Sequence, residues 1–263
     1  MYPVLFNLGK YPVYSWGLSL ALAFVVGTLY ATVKGKKKGI NPDNIIDIAL
    51  IACISSIIGA RLLHVLLNLK SYLDYPASIL QMRDGGLSFF GGLGAGVLGG
   101  WLYVKVKKLP VGKIADVAAP AVALGYAIVR IGCLLNGCCY GEPSALPWAI
   151  AGGRDDLLRH PAQIYSAIYS LIIFGLLWLV EARKKFDGQV IWSYVGFYAV
   201  ARFIVEFFRA GVRDYFAPLT ATQVACIALA VLAFGYIRVH VSQSATAAAG
   251  TRAGAGAGKS TGA

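Results

Sequence analysis

Long apolar runs separated by short basic clusters constrain this chain more than any other feature of its sequence. Of the 263 residues, 58% are hydrophobic and only 14% are charged, with a mean hydropathy of +0.66. Soluble domains are usually about a quarter charged and less than half apolar. A run of about 20 apolar residues is long enough to cross a bilayer as a helix. The sequence therefore predicts an all-α, polytopic membrane protein.

The apolar runs predict about seven transmembrane helices within a single membrane domain that covers residues 1–238. The predicted spans, in chain order, are 13–33, 45–67, 83–108, 114–135, 162–180, 190–208 and 217–237. The first run is too long for a signal peptide and lacks a small-residue cleavage site, so we expect it to remain as an anchor. Residues 239–263 are rich in Ala and Gly, which predicts a disordered tail.

Basic clusters set the predicted orientation of these spans. Clusters such as 34–38, 105–108 and 183–185 fall on alternate connections, which the positive-inside rule assigns to the cytoplasm. The N-terminus is then outside, the loop 140–161 lies on the outer side, and the C-terminal tail is cytoplasmic. The net charge of +12 does not indicate nucleic acid as a partner, because the basic residues are dispersed between spans.

Glycines in the third predicted span recur at every fourth position. Gly92, Gly96 and Gly100 share one helix face, and small residues on one face allow a second helix to approach closely. We interpret this repeat as a packing feature.

Four charged side chains fall in the outer half of the predicted membrane layer: Arg61, Arg130, Arg202 and Glu206. A charge at membrane depth is costly and usually marks a functional site. Two structural alternatives stay open. Arg130 can extend to the interface and only anchor its helix, and Arg202 with Glu206 can form an ion pair that locks helices together.

The charge balance of this group favours an anion-binding site. Arg202 and Glu206 are four residues apart on one helix face, which Tyr198 and Arg209 extend. Three arginines against one glutamate leave excess positive charge, and the planar guanidinium matches phosphate. We therefore predict an outer-leaflet pocket for the headgroup of an anionic phospholipid.

Several segments resemble one known family. They are GGLSFFGG at 85–92, RIGCLLNGCCYG at 130–141, HPAQIY at 160–165 and YAVARFIVEFFR at 198–209. In sequence, order and spacing they resemble prolipoprotein diacylglyceryl transferase, a bacterial inner-membrane enzyme whose active site faces the outer side. The resemblance extends to about residue 238.

The resemblance implies an activity and a set of site residues. The family transfers a diacylglyceryl group from phosphatidylglycerol to the lipobox cysteine thiol of a preprolipoprotein, and glycerol phosphate leaves. By motif position, Arg130 and Arg202 would contact phosphate as catalytic residues. The residues predicted to bind substrate, including Arg61 and Arg209 for their charge, are Arg61, Asn136, Gly141, Tyr198, Glu206, Arg209, His160 and Gln163. For His160 and Gln163, a loop-to-helix cap is an equal alternative.

The chain departs from the family pattern at a few motif positions. Phe90 occupies the position of a histidine that is often assigned a catalytic part, and Trp16 replaces a tyrosine. Cys133 replaces an asparagine and Cys138 a glutamate. Since phenylalanine cannot act as a base, three interpretations stay open: another histidine, His64 or His160, substitutes; an arginine lowers the pKa of the substrate thiol; or the chain is a divergent paralogue that binds anionic lipid without this activity.

The cysteines suggest a further class of function. Cys133, Cys138 and Cys139 cluster near the predicted outer, oxidising face, which is compatible with a membrane thiol-redox protein. A transporter is disfavoured because the sequence has no convincing internal repeat. No CxxC pair, zinc-site spacing, P-loop or dinucleotide motif is present, so the sequence indicates neither a metal nor another cofactor.

Overall fold

The computed structural model describes residues 2–81, 85–152, 157–211, 215–216 and 219–257, and most of these residues are helical. The helices are α1 Ser15–Lys37, α2 Pro42–Leu67, α3 Leu69–Asp74, α4 Phe89–Val106, α5 Val111–Asn136, α6 Ala162–Ala182, α7 Gln189–Glu206 and α8 Ala221–Ala257, with a 3₁₀ helix at Pro76–Leu80. This architecture confirms the predicted all-α fold class.

One short antiparallel strand pair precedes α1, and two others lie in connections between helices. The strands are β1 Val4–Leu8 with β2 Tyr11–Tyr14, β3 Ile150–Ala151 with β4 Leu158–Arg159, and β5 Tyr215–Phe216 with β6 Leu219–Thr220. Residues 153–156 of the predicted outer loop lie outside the described residues.

Six helices in the described part of the chain are long and apolar enough to cross a membrane: α1, α2, α4, α5, α6 and α8 up to Ser244. They confirm a polytopic membrane protein. Helix α7, with 18 residues, carries Arg202 and Glu206 and does not belong to this set. The seventh span and the orientation of the termini stay predictions. Helix α8 continues through part of the tail for which the sequence predicted disorder, and residues 258–263 lie outside the described residues.

The chain divides into two compact units. One contains residues 28–114, and the other contains residues 1–27 with 115–263. In the first, the glycine repeat of α4 packs on α2 as predicted. A Cβ at Gly92 would lie 3.3 Å from the Cβ of Ala60, and one at Gly100 would lie 3.7 Å from Ile48. At Gly96 it would collide with Ser56.

The second unit is built around α5, α6 and α7. Its buried core consists of Ala119 and Ala123 from α5, Ile173 and Leu177 from α6, and Val190 from α7. Small residues on α5 let the larger side chains of its neighbours pack against it. The C-terminal ends of α5 and α7 and the beginning of α6 come together, as the contacts of Gln163 with Cys138 and of Gly141 with Arg209 show.

Asp116 of α5 fixes the beginning of α7 in this unit. The Asp116 side chain is fully buried. Its Oδ1 accepts hydrogen bonds from the backbone N–H groups of Val190 at 2.9 Å and Ile191 at 3.1 Å. Its Oδ2 accepts from Gly188 N–H at 2.9 Å and Lys184 Nζ at 3.1 Å. The first N–H groups of a helix lack partners within the helix, and here a carboxylate from a different helix supplies them.

Candidate active site

Arg130 lies in the penultimate turn of α5 and is held by tyrosines. One of its terminal N–H groups donates to Tyr126 Oη at 2.6 Å, and the guanidinium carbon lies 4.6 Å from the centre of the Tyr126 ring. The Tyr169 hydroxyl of α6 donates to Tyr126 Oη at 3.0 Å. Arg130 Nε is buried and has no hydrogen-bond acceptor among the described residues. Buried N–H donors normally have an acceptor, so this donor suits an anionic group.

The tyrosine cluster around Arg130 joins three helices. The ring of Tyr126 meets that of Tyr198 on α7 edge to face, with ring centres 5.6 Å apart and planes at 88°. Tyr169 and Tyr198 are also in edge contact, at 6.2 Å. Of these residues, the sequence motifs indicated only Tyr198. The spacing of four residues between Tyr126 and Arg130 was a usable signal, whereas the contact with Tyr169 depends on the fold.

Arg202 and Glu206 form the ion pair that their spacing allows on α7, between Nη1 and Oε2. Their side chains are 15% and 11% exposed, so the pair is largely removed from solvent. Tyr198, one turn earlier on α7, interacts electrostatically with both Arg202 and Arg130. The structure therefore brings Arg130, Arg202, Glu206 and Tyr198 into one neighbourhood. That these side chains bind an anion stays a prediction.

A sharp turn follows α5 and folds three cysteines together. Gly137 has φ +75°, and Cys139 has φ +66°. Glycine is the usual residue for the left-handed conformation that ends a helix. The turn directs Cys138 back so that its N–H donates to Cys133 O at 3.1 Å. The Sγ atoms of Cys133, Cys138 and Cys139 all lie within 4.8 Å of one another. Asn136, the last residue of α5, hydrogen-bonds with the Cys138 thiol.

Gln163 attaches this turn, residues 137–139 and hereafter the cysteine turn, to α6. The Gln163 side chain is fully buried, and its Nε2 donates to Cys138 O at 2.6 Å. Its Oε1 is buried without a hydrogen-bond donor among the described residues. Helix α6 begins after Pro161 without a side-chain capping bond. Among the described residues, the Gln163 side chain therefore binds the cysteine turn and does not cap α6, and its role in substrate binding stays a prediction.

His160, Gly141 and Arg209 connect the turn to the end of α7. Gly141 N–H donates to His160 O at 2.9 Å, and the backbone of Gly141 pairs with that of Arg209 in antiparallel orientation. Glu142 N–H donates to Phe208 O at 3.0 Å. His160 Nδ1 lies 3.2 Å from Tyr165 Oη. These bonds place the residues predicted from the HPxQ and C-terminal segments beside the cysteine turn.

The cysteine turn contains thiols of opposite character. A hydrogen bond with Cys133 lowers the pKa of Cys139 to about 5 and outweighs desolvation, with smaller contributions from Cys138, Arg130 and Arg209. Burial raises the pKa of Cys138 and also that of the Tyr140 hydroxyl. The pKa of Cys139 is thus lowered by its neighbours in the turn and by two arginines within electrostatic reach.

Arg61, in the unit of residues 28–114, is almost completely buried. Its Nε donates to Ile79 O, its Nη1 to Gly85 O and Gly86 O, and its Nη2 to Ser78 O and Gln81 O, at 2.6–3.1 Å. An arginine has five N–H donors, and here backbone carbonyls accept five hydrogen bonds. The structure favours a role in shaping this loop, and anion binding by Arg61 stays a prediction.

A cavity of about 470 Å³ adjoins Arg61 and is lined by His64, Tyr72 and Gln81 among others. Phe90, where the resemblance led us to expect a histidine, is 76% exposed and contacts Phe89 edge to face. The side chain at this position is apolar and has no group that can accept a proton.

The fold and the site together define a multi-pass membrane protein with arginines near the C-terminal ends of two of its helices, α5 and α7. Residues 3–239 match the family model described as prolipoprotein diacylglyceryl transferase. The chain therefore belongs to the prolipoprotein diacylglyceryl transferase family, which confirms the resemblance seen in the sequence.

Curated relatives agree with this assignment. A protein of Clostridium tetani named phosphatidylglycerol–prolipoprotein diacylglyceryl transferase is 36% identical over 229 residues, covering 85% of this chain and 91% of the relative. Relatives with the same name from Clostridioides difficile and Geobacter sulfurreducens are each 34% identical. The first alignment covers 90% of this chain and 94% of the relative, and the second covers 79% and 82%.

Proposed function

We propose that this chain transfers a diacylglyceryl group from phosphatidylglycerol to the lipobox cysteine thiol of a preprolipoprotein. Membership of the family and the names of its relatives support this activity. The observation that carries the proposal is Arg130, whose guanidinium is braced by Tyr126 while its buried Nε has no acceptor among the described residues. Such a donor suits the phosphate of an anionic lipid.

The proposed chemistry is a displacement at a glycerol carbon. The substrate sulfur forms a bond to this carbon, and the bond from the carbon to the phosphate oxygen breaks. The electron pair goes to the leaving glycerol phosphate, so negative charge grows on its oxygen. Donors that are positioned in advance stabilise such charge without reorganising during the reaction. Arg130 supplies this stabilisation, and Arg202, held by Glu206, supports the phosphate from α7.

Apart from Arg61, the remaining predicted site residues serve as supports for Arg130 and Arg202. Tyr198 packs against the tyrosines that hold Arg130. Asn136 and Gln163 fix the cysteine turn, while His160, Gly141 and Arg209 connect it to the end of α7. We place the protein in the bacterial inner membrane, with this site toward the outer face, where preprolipoprotein thiols and phosphatidylglycerol meet.

Complementation of bacteria depleted of their own prolipoprotein diacylglyceryl transferase tests the proposal. The wild-type chain and Arg183→Ala, a matched variant at an exposed arginine, should restore growth and the mass shift of a lipoprotein. Arg130→Ala should not. Rescue only by Phe90→His would identify the chain as a divergent paralogue that keeps the lipid site. Absence of rescue by any variant, despite normal membrane levels, would contradict the proposal.

A thiol-redox function is the second candidate, because the Sγ atoms of Cys138 and Cys139 are only 3.7 Å apart. Labelling of free thiols before and after reduction of the protein tests it. A redox protein would gain labelled cysteines within 130–141 after reduction, whereas the proposed transferase would not.

A further inference from the structure

We infer that Cys133, Cys138 and Cys139 bind one Zn²⁺ through three thiolates and leave a fourth position open for the thiol of the substrate. This inference rests on the proposed transferase function for the identity of the fourth ligand. The zinc site itself rests on the geometry of the three cysteines.

The sulfur positions match a thiolate metal site. The three Sγ atoms lie within 4.8 Å of one another, and those of Cys138 and Cys139 are 3.7 Å apart. Zinc binds thiolate sulfur at about 2.3 Å in tetrahedral geometry, which places neighbouring sulfurs about 3.8 Å apart. Small side-chain rotations are therefore sufficient to close the cluster around one ion.

The fold builds this cluster from three different local features. Cys133 is fixed in the last turns of α5 and is buried. Gly137 and Cys139 both have left-handed backbone conformations, and they turn the chain back toward Cys133. The hydrogen bond from Gln163 Nε2 to Cys138 O ties the turn to α6. A site held by a helix end, a strained turn and a neighbouring helix is organised before any ligand binds.

The surrounding charge suits a thiolate site. Three thiolates around Zn²⁺ carry a net charge of −1, and a fourth thiolate ligand makes it −2. Arg130 and Arg209 both interact electrostatically with Cys139 and would offset this charge. Exposure of Cys139 and burial of Cys133 leave one side of the cluster accessible.

Three protein ligands with one open position are typical of catalytic zinc sites, whereas structural sites use four. A thiol that coordinates zinc is deprotonated outright. The proton of the lipobox thiol would leave to water, and the sulfur would then form its bond to the glycerol carbon while the phosphate ester departs toward Arg130. The metal would thus activate the thiol without a base at position 90, where the side chain is an apolar, exposed phenylalanine. Neither the C-x₄-C-C spacing nor any other motif predicts this site from sequence.

Zinc content of the purified full-length protein is the first test. The protein is extracted in detergent under reducing conditions, freed of loose metal by chelator and analysed for bound metals. Wild type and Cys53→Ser, a control outside the cluster, should retain about one Zn²⁺ per chain. Cys139→Ser should bind Zn²⁺ at least about tenfold more weakly, the loss already typical of disturbing a metal site's supporting residues. Cys139→His, which restores a ligand and tolerates the left-handed conformation, should recover binding.

Cobalt substitution reports on the ligands directly. Co²⁺ in place of Zn²⁺ should give sulfur-to-cobalt charge-transfer absorption that decreases in Cys133→Ser and Cys138→Ser, and addition of a lipobox peptide should change the spectrum. Metal content that is equal in wild type and Cys139→Ser would identify an adventitious ion and overturn the inference. So would an oxidised pair among the three cysteines, or bound Cu⁺, whose three thiolate ligands leave no open position.

Failure of the zinc inference is distinguishable from failure of the proposed function. Transfer of the diacylglyceryl group that persists after complete zinc removal would overturn the inference and leave the transferase intact. Zinc binding through the three cysteines without any transfer would overturn the transferase, and with it the assignment of the fourth ligand.

Discussion

Arg61 of α2 and Arg130 of α5 differ in the hydrogen-bond partners of their guanidinium groups, and this difference separates their roles. Arg61 donates to five backbone carbonyls located 17–25 residues further along the chain. Arg130 instead donates to one tyrosine hydroxyl and has a buried Nε without an acceptor among the described residues. The sequence pattern does not distinguish Arg61 from Arg130, because both interrupt apolar runs. Only the fold separates an arginine that shapes a loop from one that can hold an anion.

Arg130→Lys tests the geometry of the guanidinium. Lysine keeps the charge but lacks the planar fork that matches phosphate. We expect kcat for transfer to fall about 10²–10³-fold, comparable to the loss of one positioned donor at a developing oxyanion. Arg183→Lys at an exposed position is the matched control. Unchanged kcat in Arg130→Lys, measured with purified protein in phosphatidylglycerol vesicles, would show that charge alone suffices.

At the scale of elements, helix α7 is held at both ends, and this determines where Arg202 and Glu206 lie. Asp116 accepts from the first N–H groups of α7. At the other end, Glu142 N–H donates to Phe208 O, and Ala210 N–H donates to Tyr140 O at 3.3 Å. The helix therefore joins the core of α5 to the cysteine turn.

Asp116→Asn should destabilise the protein by about 1–3 kcal/mol, because an amide leaves buried donors unsatisfied and removes the partner of Lys184. Thermal unfolding in detergent measures the loss. Asp187→Asn removes a more exposed partner of the same lysine, and surface ion pairs contribute about 0–1 kcal/mol. Equal unfolding temperatures for the two variants would contradict the role given to Asp116.

Gly141→Ala tests how closely the turn packs. A Cβ there would collide with Phe208 O and lie 2.5 Å from His160 Cβ, so both backbone segments would have to move. Such overpacking costs about 1–3 kcal/mol, and transfer activity should fall with it. At Gly175 on α6, a Cβ meets no atom within 4 Å. Gly175→Ala should therefore be neutral or stabilising, and an equally small effect of Gly141→Ala would refute the packing.

The sequence predicted helices correctly where apolar runs have clear boundaries, and it misplaced the beginning of α4. The predicted span 162–180 corresponds to α6 Ala162–Ala182, and 45–67 to α2 Pro42–Leu67, because apolar runs bounded by polar or proline residues are clear. The third span was predicted from residue 83, yet α4 begins at Phe89. Gly85 and Gly86, which precede α4, have positive φ angles that an α-helix does not accommodate.

At the scale of the whole molecule, the family motifs are sufficient to identify the correct class of protein. They locate Arg130, Arg202, Glu206 and Tyr198, which the fold places together. They do not predict the hydrogen bond from Tyr169 to Tyr126 beside Arg130, or the close approach of the three cysteine Sγ atoms. Those contacts join residues far apart in sequence or depend on left-handed turns, and a linear spacing of residues contains no information on either.

The most direct test of the central claim is transfer in a defined system. The purified chain is mixed with a synthetic lipobox peptide in phosphatidylglycerol vesicles, and the peptide is analysed by mass spectrometry. We predict a gain of one diacylglyceryl group on the cysteine, release of glycerol phosphate in equal amount, and neither product with Arg130→Ala or with a serine in the peptide. An unmodified peptide in the presence of folded wild-type protein, with phosphatidylglycerol bound, would contradict the account.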